Sequence, residues 1–152
     1  MRKEKVGDVY KIEFARDKFV FAQVVHKGLI KFFIQFFNTP VLFENVKSIL
    51  SSERSFSVYV HKDYLRSENW VFEGNYELLD KTLPVFFRQD LLNPQDCVIV
   101  DVFGNKKNVK PIECLGLERS AVWDTNHVED RLRNIVLHRD DDNVKMMAVK
   151  LS

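Results

Sequence analysis

The sequence predicts an α+β fold: a mostly antiparallel, strongly bent and partly barrel-like β-sheet with one amphipathic helix near its C-terminal end. Three observations carry this. Tyr10, Ile12 and Phe14 alternate with Val9, Lys11 and Glu13, the period of two of a half-buried strand. Two more apolar runs, residues 19–25 and 30–37, follow after short links, so three consecutive strands must pair antiparallel. Far downstream, Val128, Leu132, Ile135 and Val136 recur at helical spacing.

The elements follow in order. The first two strands form a hairpin over residues 6–25, and the third runs from Ile30 to Phe37. Its alternation predicts Phe32, Ile34 and Phe36 on the core face with Tyr10, Ile12 and Phe14, and Phe33 and Phe37 on the other. Pro40 stops this strand, because proline cannot donate to a ladder. A short helix over 43–50 would place Phe43, Val46, Lys47 and Leu50 on one face. Residues 55–60 alternate cleanly, with Phe56, Val58 and Val60 on one side. Residues 69–75 read as a strand closed by a Gly74-Asn75 turn. Leu83 to Phe87 reads as an edge segment, since proline near its start suits an edge. Cys97 to Phe103 is a strand ending in a tight turn at Gly104-Asn105. A helix runs from Asn126 to Leu137, with Asn126 as cap and Glu129 as the acid of a capping box. Asp140, Asp141 and Asp142 form a polar turn before a final strand over 144–151.

A chain of 152 residues is the length of one domain, and it is read as a single domain over 1–152. No N-terminal apolar run suggests a signal peptide, and no stretch approaches the roughly 18 apolar residues of a membrane span. The expectation is a cytoplasmic protein. Cys97 and Cys114 sit in apolar, strand-like surroundings and are expected as buried free thiols. The net charge of +1 argues against strong global attraction to nucleic acid. The charge is nevertheless uneven. Lys and Arg dominate residues 1–31, whereas Asp and Glu dominate residues 113–142.

Catalytic and metal-binding patterns are missing from the sequence. His127 and His138 are too far apart along a helix to share a metal, and neither a CxxC pair nor HExxH occurs. The Asp140–Asp142 run lacks the spacing, glycine and distal glutamate of a calcium loop. There is no nucleophile elbow, P-loop or dinucleotide fingerprint. The expectation is therefore a protein without catalytic residues, cofactor, metal or small-molecule substrate. The candidate partner-binding residues are Glu118, Trp123, Asp124, Glu129, Asp130, Asp140, Asp141 and Asp142: an acidic stretch for a basic partner, with one aromatic. Set against this, the carboxylates would be plain solvated surface, and Trp70 and Trp123 would cap the core.

The order of several landmarks resembles one family. Gly7-Asp8-Val9-Tyr10 opens the first strand, and Phe21-Ala22-Gln23-Val24 closes the hairpin. Asn69-Trp70-Val71-Phe72-Glu73-Gly74-Asn75-Tyr76 precedes Leu83-Pro84-Val85-Phe86. Leu115-Gly116-Leu117-Glu118 leads to Ala121-Val122-Trp123 and Val128-Glu129-Asp130-Arg131-Leu132. Together, over roughly residues 5–137, these are similar to the immunity protein 26 family of bacterial polymorphic toxin systems. Ala22 departs from the glycine often found there. The resemblance implies a small protein that binds and neutralises a cognate toxin, such as a nuclease, without chemistry of its own. The alternative is a small β-rich nucleic-acid-binding module, which the aromatic strands and basic N-terminal segment would suit. An enzyme with a site illegible from one sequence is a third reading.

Overall fold

The computed structural model describes residues 2–39 and 46–151, with residues 46 and 47 described by their backbone alone. Strands β1 (Asp8–Ala15), β2 (Lys18–His26) and β3 (Leu29–Phe37) form the predicted antiparallel meander. Its turns are tight because Asp17 and Gly28 adopt left-handed conformations, φ 56° and 73°. Bulges interrupt the registers of β1 with β2 and of β2 with β3, and such insertions bend a sheet. Gly7 enters β1 at φ 96°, and a Cβ there would lie 2.6 Å from the Tyr76 carbonyl oxygen. Only glycine fits that approach.

Helix α1 (Val46–Leu50) begins where the described chain resumes. Phe43 and the Pro40 strand stop lie outside the described residues. Strand β4 (Ser55–Val60) pairs with β3, and β5 (Trp70–Asn75) pairs with β1. Here the sequence reading is corrected: Gly74 and Asn75 are not a turn but the end of β5, opposite Val9 and Asp8. The register shift beside Gly74 accounts for the glycine.

A second sheet follows. It contains β6 (Phe86–Gln89), β7 (Cys97–Val100), β8 (Lys106–Val109) and β9 (Glu118–Arg119), in the order β8-β7-β6-β9. Strand β6 is therefore interior, contrary to its reading as an edge. Pro84 precedes the strand and takes no part in its ladder. The first sheet is completed by β10 (Val122–Trp123), parallel to β4, giving the order β10-β4-β3-β2-β1-β5. Among the described residues no barrel closes, so the barrel-like part of the expectation does not extend to closure.

Helix α2 (Thr125–Val136) packs on the first sheet. Val128 and Leu132 are fully buried among Tyr10, Ile12, Phe14 and Phe32, with Val136 partly buried at the margin. Asp124, not Asn126, occupies the cap position, and its carbonyl accepts from the His127 and Val128 amides. The helix ends as His138 turns left-handed, φ 53°, and the Arg139 amide reaches back to the Asn134 carbonyl. The final strand predicted over 144–151 is also corrected. Asp141 accepts from the Val144 amide at 3.0 Å and starts a short helix, α3 (Asp142–Met147).

Both faces of the meander are covered. Tyr10, Ile12, Phe14 and Phe32 lie under α2, with Ile34 and Phe36 partly buried beside them, as the alternation predicts. On the other face Val9, Phe21 and Phe33 pack with Ile49 and Leu50 of α1. Val25 and Leu29 meet Phe86, so the two sheets share a small apolar junction. None of the described helices is long and apolar enough to cross a membrane.

Candidate functional site

The acidic C-terminal stretch resolves into residues with different duties. Glu118 on β9 accepts two hydrogen bonds from Arg131, at 3.0 and 2.7 Å. The Arg131 guanidinium also lies 3.8 Å from the Phe56 ring centre and 5.1 Å from that of Trp123. One buried arginine thus joins α2 to β4 and β10 of the first sheet and to β9 of the second. A planar guanidinium can serve both the bidentate carboxylate and the ring faces. Trp123 itself is 2 % exposed and belongs to the core under α2. It supports the surface from beneath and does not present a ring to a partner. Tyr64 and Trp70 are buried in the same cluster.

The carboxylates on α2 are partly neutralised. Asp130 pairs with Arg133, which also donates to the Phe14 carbonyl. Glu129 is half-buried and accepts from the Asn69 side chain at 3.3 Å. Burial pushes its carboxyl above the ordinary value, against the pull of Asn69 and Arg133. Asp124 lies 3.7 Å from the His127 ring nitrogen at the start of the helix. Asp140 lies 3.2 Å from the Lys145 ammonium.

Asp141 is buried and spent on structure: besides capping α3 it accepts from Asn134 at 2.8 Å. Asp142 is exposed in the first turn of α3 and has no cationic partner among the described residues. The fold brings Asp130, Asp141 and Asp142 together with Arg133 and Arg139 around a groove of about 230 Å³ between α2 and α3. It does not bring in Asp124, at the far end of α2, or Glu118, held by Arg131.

A larger cleft, about 360 Å³, opens where β3 and β4 meet the segment entering β9, lined by Lys31, Phe56, Ser57, Asp80, Leu117 and Glu118. Its charges are already matched, Lys31 to Asp80 at 4.0 Å and Glu118 to Arg131. Cys97 and Cys114 are buried free thiols in one cluster with Phe87. Burial pushes the Cys114 thiol up to about 11, far from the thiolate needed for attack.

Part of the basic N-terminal region is likewise committed, while Lys3, Lys5, Arg16 and Lys27 have no ion pair among the described residues. Arg2 forks onto Asp8 and stacks 3.6 Å from the Phe72 ring centre, and Lys11 lies 3.3 Å from Glu73. Glu4 accepts from the Gly28 amide at 2.7 Å and from the Tyr64 hydroxyl. Burial, then the Glu4 carboxylate, drives that hydroxyl far above its usual value. Phe21, Phe32 and Phe33 are buried, so they offer no platform on which bases could stack.

Compared with known proteins, residues 5–98 match the model of one family, described as Immunity protein 26. The match covers more than half of the chain. The chain belongs to the immunity protein 26 family. A search of curated proteins and a search of solved structures found no match. The part of this immunity protein that the family match covers runs from β1 into the start of β7. Glu118 through Asp142, the whole acidic stretch, lie outside it. Family membership therefore assigns no role to those residues. Sequence reasoning missed Arg131 because a lone arginine among helix surface residues looks solvated. The only hint was its place on the turn between Val128 and Ile135.

Proposed function

We propose that this immunity protein neutralises a cognate bacterial toxin by binding its toxic domain non-covalently in the cytoplasm. Family membership carries the reading. The buried aromatics, matched charges and thiol held up by burial are compatible with a binding role without catalysis. A nuclease is the favoured toxin class, because a nuclease must present positive charge to phosphate. Asp124, Glu129, Asp130, Asp140 and Asp142 would then steer encounter, while Glu118, Trp123 and Asp141 hold the surface that displays them. Pairing with Arg133 and Lys145, and the burial of Glu129 beside Asn69, leave Asp124 and Asp142 as the strongest contributors.

The test is co-expression with the toxin encoded beside the gene, scored by rescue of growth, together with binding of the purified proteins. Reversal of charge at Asp124 and Asp142 should slow association and flatten its salt dependence. An unchanged association rate at two salt concentrations refutes the acidic surface. Failure to rescue growth or to bind refutes the immunity role.

A further inference from the structure

The β6–β7 connection carries the most exposed apolar side chains described, Leu91 at 91 % and Leu92 at 96 %. Adjacent leucines in open water are costly, and single scattered ones are the ordinary case. The loop holds them there. The Asp90 side chain accepts from the Leu92 and Asn93 amides at 2.8 and 2.9 Å. The Asp90 amide donates to the Asp96 carbonyl at 3.0 Å, and the Gln89 side chain donates to the Pro94 carbonyl at 2.7 Å. These bonds brace the connection at its base and across its tip and hold both leucines away from the core. The result is an apolar knob rimmed by two exposed aspartates, Asp90 and Asp96, neither of which has an ion-pair partner among the described residues.

We propose that this knob is an anchor for the toxin domain, seated in an apolar pocket with a basic rim. The inference rests on the immunity role proposed above and names a surface for it. Charge and area both select a different protein over a second copy of this chain. A two-fold contact of knob on knob would set Asp90 and Asp96 against their own copies. Four leucines would remove on the order of 500 Å² from water at most, well short of the roughly 1,200 Å² of a stable interface. A convex apolar tip with an acidic rim complements a concave basic surface, the kind that a phosphate-binding toxin has to carry. A rigid loop loses little conformational freedom on docking, so its leucines can act as preorganised hot spots. The knob also lies within the matched residues 5–98, unlike the acidic stretch.

The full-length protein and its Leu91→Ser/Leu92→Ser and Asp96→Lys variants are compared by biolayer interferometry. The probe is the C-terminal domain of the toxin encoded beside the gene, and melting curves confirm the fold. The expected result is an unchanged melting temperature, a loss of roughly 100-fold or more in affinity for the double serine variant, and slower association for Asp96→Lys. If the wild type binds and the double variant binds equally well, the knob is refuted while the immunity role stands. If the wild type does not bind, the immunity role falls and the knob with it. Sedimentation of the wild type as a dimer, reduced to monomer by the serine pair, would overturn the proposal in favour of self-association.

Discussion

Replacing Arg131 by alanine tests whether one buried cation joins the helix to both sheets. The Arg131 side chain is 10 % exposed and that of Glu118 29 %. Breaking a fully buried pair costs about 3–5 kcal/mol, because the surviving charge is left without a partner. Glu118 keeps some access to water, which places the pair near the lower limit. Loss of the guanidinium from the Phe56 and Trp123 faces adds about 1 kcal/mol. The terms overlap, so the expected total is about 3–4 kcal/mol. In a domain of this size that lowers the melting temperature by roughly 10 °C.

Urea denaturation followed by tryptophan fluorescence is the assay, since Trp70 and Trp123 are both buried and should report unfolding. The decisive comparison is Arg131→Met/Glu118→Leu, which removes both charges and keeps apolar volume. That double variant should fall within about 1.5 kcal/mol of wild type, because no charge is left unpaired. If Arg131→Ala costs under about 1 kcal/mol, or the double variant is as damaged as the single one, the arginine is not the junction described.

Three further outcomes follow from the same geometry. Burial opposes the Asp8 carboxylate, but hydrogen bonds from Arg2, Asn75 and the Lys5 amide outweigh it and hold its pKa below the ordinary range. This stabilisation is complete above the unfolded-state value near 4 and is lost as pH falls through the lower folded value. Asp8→Asn should therefore destabilise at pH 7 and converge on wild type in strong acid, as read from melting temperatures. Glu129 has the opposite sign. Its raised folded pKa means a penalty absent in acid and complete once pH passes that value, so Glu129→Gln should raise the melting temperature at pH 7 and leave it unchanged near pH 4. Asp141→Ala removes the cap of α3 and the Asn134 contact and should cost about 1–2 kcal/mol by urea denaturation, whereas a solvated turn residue would cost nothing.

Much of the architecture was legible because period-two and helical patterns report a local choice of which face is dry. Tyr10, Ile12, Phe14 and Phe32 were placed correctly from alternation alone, and so were Val128 and Leu132 from helical spacing. The family likeness was also legible, from the order of short landmarks. What sequence could not supply was anything decided by distant partners. Gly74 looked like a turn until β1 paired across it, and Pro84 marked an edge until β9 covered the far side of β6. Residues 144–151 read as a final strand, yet the cap at Asp141 turns Asp142–Met147 into a helix. Composition made one acidic region of Glu118 through Asp142, and folding divided it among a buried ion pair, a helix cap and a few free carboxylates. Charge at a residue is a property of its side chain, but its availability depends on which cation the fold sets beside it. Arg131 and Glu118, thirteen residues apart, meet only once α2 packs on the first sheet and Arg131 reaches β9 of the second. The Leu91–Leu92 knob shows the converse: hydropathy alone favours burial of two adjacent leucines, and the brace at Asp90 holds them outside.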